Sequence, residues 1–288
     1  MMTCLKITDP VALTLAGKIA LGEIGKGPVL ELLEHAPVGD GDFIPDHPSR
    51  LFHNAANIDY LAGTNSMDGH LFAGVDVPSI NKNKTPTTPE EIKELLAGLT
   101  KLKGTAAVDS AYMTYIQSLG PTPDQAVVKK TVVDIETDFL FLVPTQTALF
   151  LHVNHSKDAR TYSYLFNMGT RIPGFPKWME AEHAEGVQYV FGKPFDTPLG
   201  YFPKHRTLSE YMIAYWTNFA RTGDPNQGVS KVPTLWPEFS STEHPYLVIN
   251  NKITKSSVKH NLRSPYVKYW TSTYASLPSN EVSLMKNT

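Results

Sequence analysis

The chain of 288 residues carries 26 basic and 28 acidic side chains, a formal net charge of -2, and 41% of its residues are hydrophobic. That hydrophobic fraction supplies a sizeable core and excludes an intrinsically disordered protein. The near balance of charge gives no electrostatic basis for binding nucleic acid or an anionic membrane surface, so a small molecule or another protein is the expected partner.

The first half of the chain shows one strand and two clear helices before a long apolar segment. The run "IDYLAG" from Ile58 is short, apolar and followed by turn residues, which predicts a strand buried on both faces. Thr88 and Glu91 form a capping box at the start of a helix over 89–102, and a second helix is predicted over 106–119. A third helix, over 137–153, is apolar nearly all round and should be deeply buried.

The second half adds further strands and two helices. "TYSYLF" from Thr161 predicts a second strand buried on both faces, and the runs from Val187 and Pro245 are weaker strand candidates. The segment "LSEYMIAYWTNFARTGDPN" has an apolar face at helical spacing, and a last helix starts at Ser264. Long helices between buried strands predict an α/β fold with a mostly parallel sheet.

Asp68 and His183 are the candidate site residues. In α/β folds, the catalytic and ligand-binding residues lie in loops just past the carboxyl ends of the strands. Asp68 follows the first predicted strand in this way, and His183 follows the second. Gly69 is expected to let the backbone turn beside Asp68. An acid in such a loop is more often a cap, and a lone histidine more often structural. The order of a carboxylate and then a histidine, however, is that of the last two triad members in α/β-hydrolases.

Other constellations are weaker. His152 and His155 share a helix face without a third ligand, so both are interpreted as surface histidines and no metal site is predicted. The acidic run at 134–138 is interpreted as a solvated helix start. Asn83 and Asn154 begin N-glycosylation triplets, although such triplets are common by chance. No stretch reaches the roughly 18 apolar residues that a transmembrane helix needs, and the N-terminus has no signal-peptide pattern, so a soluble chain is expected.

Five longer stretches are more specific than the patterns above: "DGDFIP", "GTNSMDGHLFA", "VVDIETDFLFLVPT", "PKWMEAEHAEGVQYVFGKPF" and "MIAYWTNFARTGDPN". In this order they closely resemble the carboxylesterase/cholinesterase family of α/β-hydrolases, and the resemblance runs from Cys4 to about Pro278. It implies a partial α/β-hydrolase domain over 1–278 and a short tail over 279–288. It also implies that Cys4 pairs with a cysteine upstream of Met1, leaving a free thiol in this chain.

The resemblance assigns Asp68 as the acid and His183 as the base of a Ser-His-Asp mechanism. It implies a secreted carboxylic ester hydrolase that acts on cholesteryl esters, acylglycerols and other lipid esters. Bile salts would be activators, and no cofactor or metal would be needed.

The chain departs from the family in one respect: no two of its glycines are four residues apart, so it has no Gly-x-Ser-x-Gly segment. The nucleophile and the Gly-rich oxyanion loop are expected upstream of Met1. The chain would then be the C-terminal half of such an enzyme and inactive alone. A non-catalytic binding or adhesion module like those built on the cholinesterase fold is the alternative, although the presence of both Asp68 and His183 argues against it. A non-functional product is the third reading.

Overall fold

The computed structural model of the chain describes residues 7–12, 27–29, 37–116, 119–169, 175–176 and 178–279. Cys4 and the predicted tail, except its first residue, lie outside these ranges. In the described part of the chain the strands form one mixed sheet in the order β1-β2-β3-β4, in which the first three strands are parallel and β4 is antiparallel to β3. The strands are β1 (Tyr60–Asn65), β2 (Thr161–Phe166), β3 (Pro245–Ile249) and β4 (Val258–His260).

Helices occupy much of the described chain between and after these strands. None of them is long and apolar enough to cross a membrane. They are α1 (His70–Asp76), α2 (Pro89–Leu99), α3 (Gly104–Ile116), α4 (Gln125–Thr137), α5 (Val143–His155), α6 (Val187–Val190), α7 (Lys193–Asp196), α8 (Pro203–Thr222), α9 (Ser264–Lys268) and α10 (Tyr274–Ser276). π-Helical turns at Asp138–Leu142 and Tyr269–Thr273 join α4 to α5 and α9 to α10.

The helices with strong local signals begin and end close to where the sequence predicts. The side chain of Thr88 accepts from the backbone N–H of Glu91, and the Glu91 side chain accepts in return, which completes the predicted capping box of α2. Helix α8 ends at Gly223, whose φ of 71° is the left-handed conformation that favours glycine. The strand predictions at Thr161 and Pro245 are confirmed as β2 and β3.

The predicted third helix is only the second half of a longer one. Helix α4, the π-helical turn and α5 run continuously from Gln125 to His155. The interpretation of the acidic run as a solvated helix start was therefore wrong, since Glu136 is 1% and Asp138 0% exposed. Each carboxyl group is buried because a distant part of the chain supplies its partner, Asp76 for Glu136 and Arg263 for Asp138.

Two further expectations need correction. The run from Val187 forms the short helix α6 rather than a strand. His152 is 2% exposed and not a surface residue. Its Nδ1 lies 2.7 Å from Thr161 Oγ1 and its Nε2 2.8 Å from the carbonyl oxygen of Ile58, so it ties α5 to the start of β2 and to the segment just before β1. His155 is exposed, as predicted.

Two hydrophobic clusters form the core of the described residues. One contains the inner faces of α2, α3 and α4 with Tyr269 and Trp270 of the last helical segment. The other packs β2 and β3 against α8 around Trp236, which is fully buried. Strand β1 is paired on one side to β2, in a register that places Asn65 opposite Phe166. The carboxyl ends of β1 and β2 therefore meet at the same edge, and the loops after them start side by side.

Candidate active site

The loop after β1 holds Asp68 rigidly. The Asp68 side chain is 8% exposed, and its Oδ2 accepts a 2.7 Å hydrogen bond from the backbone N–H of Asn65, the last residue of β1. Met67, beside it, is fully buried. The other carboxylate oxygen, Oδ1, is therefore the one that points toward the neighbouring loop.

Gly69 is needed in this loop for its small size and not for an unusual backbone conformation. Its φ of -76° and ψ of -7° are helical and open to any residue. A Cβ atom there would lie 2.3 Å from the backbone nitrogen of Thr137, because the loop packs directly on α4. The N–H of Gly69 also donates to Thr137 Oγ1 at 2.9 Å. The expected conformational role was wrong; glycine is needed for close approach.

The loop that carries His183 continues the pairing of the sheet beyond β2. Met67 and Glu182 form a parallel β-bridge, with the N–H of Met67 donating to the carbonyl oxygen of Ala181 at 2.9 Å. The Asn65 side-chain amide donates to the carbonyl oxygen of Glu182 at 2.6 Å. Directly after His183, Ala184 takes a left-handed conformation with φ of 63°. The turn after the bridge thus presents the His183 side chain above the ends of the strands.

Asp68 and His183 meet as the sequence predicts. His183 Nδ1 lies 3.0 Å from Asp68 Oδ1, although the two residues are 115 positions apart. The His183 side chain is 44% exposed, and its Nε2 makes no hydrogen bond with any residue that the structure describes. The ring of Phe141 lies 5.0 Å from the imidazole. One ring nitrogen is thus fixed by the carboxylate, while the other is open to accept or give a proton.

The electrostatic setting follows from burial. Burial raises the pKa of Asp68, and the hydrogen bonds from the Asn65 N–H and from His183 oppose that rise. Burial, with the nearby charge of Asp68, raises the pKa of Tyr164 to about 12, so that the phenol stays neutral in ordinary buffers.

A cleft of about 460 Å³ opens beside this pair. Asp68 and His183 are among its polar lining groups, while most of its wall is apolar. No group of three or more His, Cys, Asp or Glu side chains in the described ranges could hold a metal ion. The apolar wall consists chiefly of Phe141, Tyr164, Phe166, Val187, Val190, Phe191, Met212 and Trp216.

Sequence reasoning missed two polar residues beside the site. His70 and Glu182 form a partly buried contact of 2.9 Å between the same two loops that Asp68 and His183 join. Both residues stand within two positions of a predicted site residue. That adjacency was the available signal, but no pattern in the sequence indicates that the two face each other.

Comparisons with known proteins show what the whole chain is similar to. A model of the carboxylesterase family matches residues 1–270. The bile salt-activated lipase of Bos taurus is 53% identical over 279 residues, covering 97% of this chain and 47% of that protein. The bile salt-activated lipase of Homo sapiens is 51% identical, covering 97% of this chain and 37% of that protein. The cholinesterase of Mus musculus is 27% identical, and the match covers 94% of this chain and 44% of that protein. The chain thus spans about half or less of the length of the curated relatives it matches.

Proposed function

We propose, from the fact that this chain belongs to the carboxylesterase family, that it supplies the acid and the base of a carboxylic ester hydrolase. The observation that carries the proposal is the 3.0 Å contact between Asp68 Oδ1 and His183 Nδ1, with Nε2 open to an apolar cleft. A serine hydrolase needs its base in this arrangement, with one nitrogen oriented by a carboxylate and the other facing the nucleophile.

The proposed reaction uses a serine outside this sequence, which contains no Gly-x-Ser-x-Gly segment. His183 Nε2 takes the proton of the serine hydroxyl as the oxygen attacks the ester carbonyl, and returns it to the departing alcohol. Water then attacks the acyl-serine and gives its proton to Nε2, and the carboxylic acid leaves as Nε2 passes that proton to the serine oxygen. Asp68 stabilises the imidazolium in both steps. The chain alone is proposed to be inactive.

The proposed substrates are lipid esters such as cholesteryl esters and acylglycerols. Two features support this choice: the apolar wall of the cleft next to His183, and the name of relatives about half identical to the chain, bile salt-activated lipase. Activation by bile salts and secretion, both implied by the family resemblance, belong to the same proposal.

A chimera tests the function without requiring activity of the chain alone. The chain would replace the matching 279 residues of the Bos taurus bile salt-activated lipase, and hydrolysis of short- and long-chain esters would be measured with and without a bile salt. We expect activity in the chimera, a fall in kcat on the order of 10⁴-fold in Asp68→Asn, and a larger fall, on the order of 10⁶-fold, in His183→Ala. The matched control is His155→Ala, an exposed histidine on α5 that should leave the rate unchanged.

Two results would contradict the proposal. Residues 1–288 alone should not release nitrophenolate from p-nitrophenyl esters above a blank, and a burst that disappears in His183→Ala would show a nucleophile within the chain. If the chimera folds but hydrolyses no ester, while the unmodified Bos taurus protein is active in the same assay, the non-catalytic binding module is favoured instead.

A further inference from the structure

A second polar contact joins the two loops of the site beside the Asp68–His183 bond. His70 is 3% exposed, and its Nδ1 lies 2.9 Å from Glu182 Oε1. Its Nε2 lies 3.0 Å from Asn81 Oδ1. Each ring nitrogen of His70 thus has an oxygen within hydrogen-bond distance.

The two residues of this pair are close neighbours of Asp68 and His183 in the sequence. His70 follows Asp68 by two residues and is the first residue of α1, while Glu182 directly precedes His183. Neither side chain lines the cleft into which His183 opens. Glu182 and His183 do both line a second cleft, of about 550 Å³. His70 lines neither cleft, so its effect on the site must pass through Glu182, Asp68 or His183.

Among the described residues, the pairing of the second loop with the first loop reaches as far as Glu182. The β-bridge to Met67 and the bond from the Asn65 side chain both end at that residue, and the left-handed turn at Ala184 follows at once. His183 thus stands at the first position beyond the paired segment. The contact of the Glu182 side chain with His70 is, among the described residues, a further polar contact between the two loops beside the Asp68–His183 bond.

His70 is itself fixed. The rings of Phe175 and Trp178 lie edge-on to the imidazole, at 5.7 Å and 6.3 Å. Asn81, at the end of the segment after α1, occupies its second nitrogen. A ring held on both nitrogens and packed by two aromatic side chains is a rigid anchor for Glu182.

We infer that His70 and Glu182 are positioning residues that keep His183 Nδ1 on Asp68. The effect of the His70–Glu182 pair on catalysis rests on the proposed function, whereas the effect of the pair on the Asp68–His183 bond does not. Misplacing a catalytic group by about 1 Å can cost on the order of 10²-fold in rate. Loss of the pair should therefore lower kcat by about that factor with little change in KM, since the cleft itself is unaltered.

Two substitutions of His70 separate positioning from mere packing. In His70→Asn the amide nitrogen takes the place of Nδ1 and can still donate to Glu182. In His70→Gln it takes the place of Nε2 and keeps only the contact with Asn81. Both variants bury one amide in the same pocket, so a purely structural role would treat them alike. Unfolding free energies of both variants provide the check on stability.

The first readout is nuclear magnetic resonance of ¹⁵N-histidine-labelled residues 1–288, which needs no hydrolysis. The proton on His183 Nδ1, assigned by its loss in Asp68→Asn, should exchange slowly with solvent in the wild type and in His70→Asn. Its exchange should be at least about tenfold faster in His70→Gln and in Glu182→Ala. If the His183 Nδ1 proton of His70→Gln exchanged as slowly as in the wild type, and the two variants were of comparable stability, the inference would be overturned.

The second readout is kinetics of the same variants in the chimera. We expect His70→Asn to retain kcat, and His70→Gln to lose about 10²-fold of it. Equal kcat values in the two variants would also overturn the inference. If the chimera is inactive, the proposed function fails, while the exchange experiment still decides whether the pair positions His183.

Discussion

The buried carboxyl groups of Glu136 and Asp76 make folding dependent on pH. Glu136, on α4, is 1% exposed and faces Asp76, at the end of α1. Its Oε1 and Asp76 Oδ2 are buried without a donor among the described residues. Burial, reinforced by the charge of Asp76, raises the pKa of Glu136 to about 9. A proton held between the two groups supplies the missing donor.

The size of the effect follows from that pKa. Glu136 has a pKa of 4.5 in its ordinary state and about 9 in the fold, so the folded chain binds the proton more tightly than the unfolded chain. The stability from this proton is fully present below 4.5 and is lost as the pH rises through about 9. The loss is about 1.4 kcal/mol per pH unit, which amounts to at most about 4 kcal/mol between about pH 5 and pH 8.

Glu136→Gln should remove this dependence. The glutamine amide has nearly the same shape and donates an N–H to Asp76 at every pH. The variant should match the wild type near pH 5 and exceed its unfolding free energy increasingly toward pH 8. Urea denaturation of dilute protein, followed by tryptophan fluorescence at several pH values, measures the difference. Glu94→Gln, at an exposed position of α2, is the control. A difference between Glu136→Gln and wild type that stays flat across this range would refute the reasoning.

Three more predictions follow from burial and close packing. Arg263→Met should cost about 3–5 kcal/mol of unfolding free energy in urea denaturation, because it leaves the buried Asp138 carboxylate without its bidentate partner; a smaller loss than in an exposed-pair control would contradict this. Gly69→Ala should cost about 1–3 kcal/mol through its clash with α4. Gly39→Ala, with its nearest neighbour 3.7 Å away, should change stability by roughly 0.5 kcal/mol or less, and equal losses in the two would refute the packing argument. Residues 1–288 should self-associate and bind a hydrophobic dye, because β1 is an edge strand in the described sheet and exposed apolar side chains cluster over 187–202; a dye-free monomer in size-exclusion chromatography with light scattering would contradict this.

The sequence by itself determined the elements whose signals are local. Thr88 and Glu91 are three residues apart and mark the start of α2, and Gly223 marks the end of α8. These signals act within one helical turn, so no distant part of the chain can override them easily. The α/β class and the site at the strand ends were also predictable, since the order of Asp68 and His183 and the family-like stretches are properties of the sequence.

Only the tertiary structure decided which polar residues are buried. His152 was expected at the surface because its partners, Thr161 and the carbonyl of Ile58, come from strands that the helix pattern does not reveal. Glu136 looked solvated for the same reason. A charged or polar side chain enters the core only where another element brings a hydrogen-bond partner to it. Such partners lie far along the chain, and their meeting depends on packing that local periodicity does not encode.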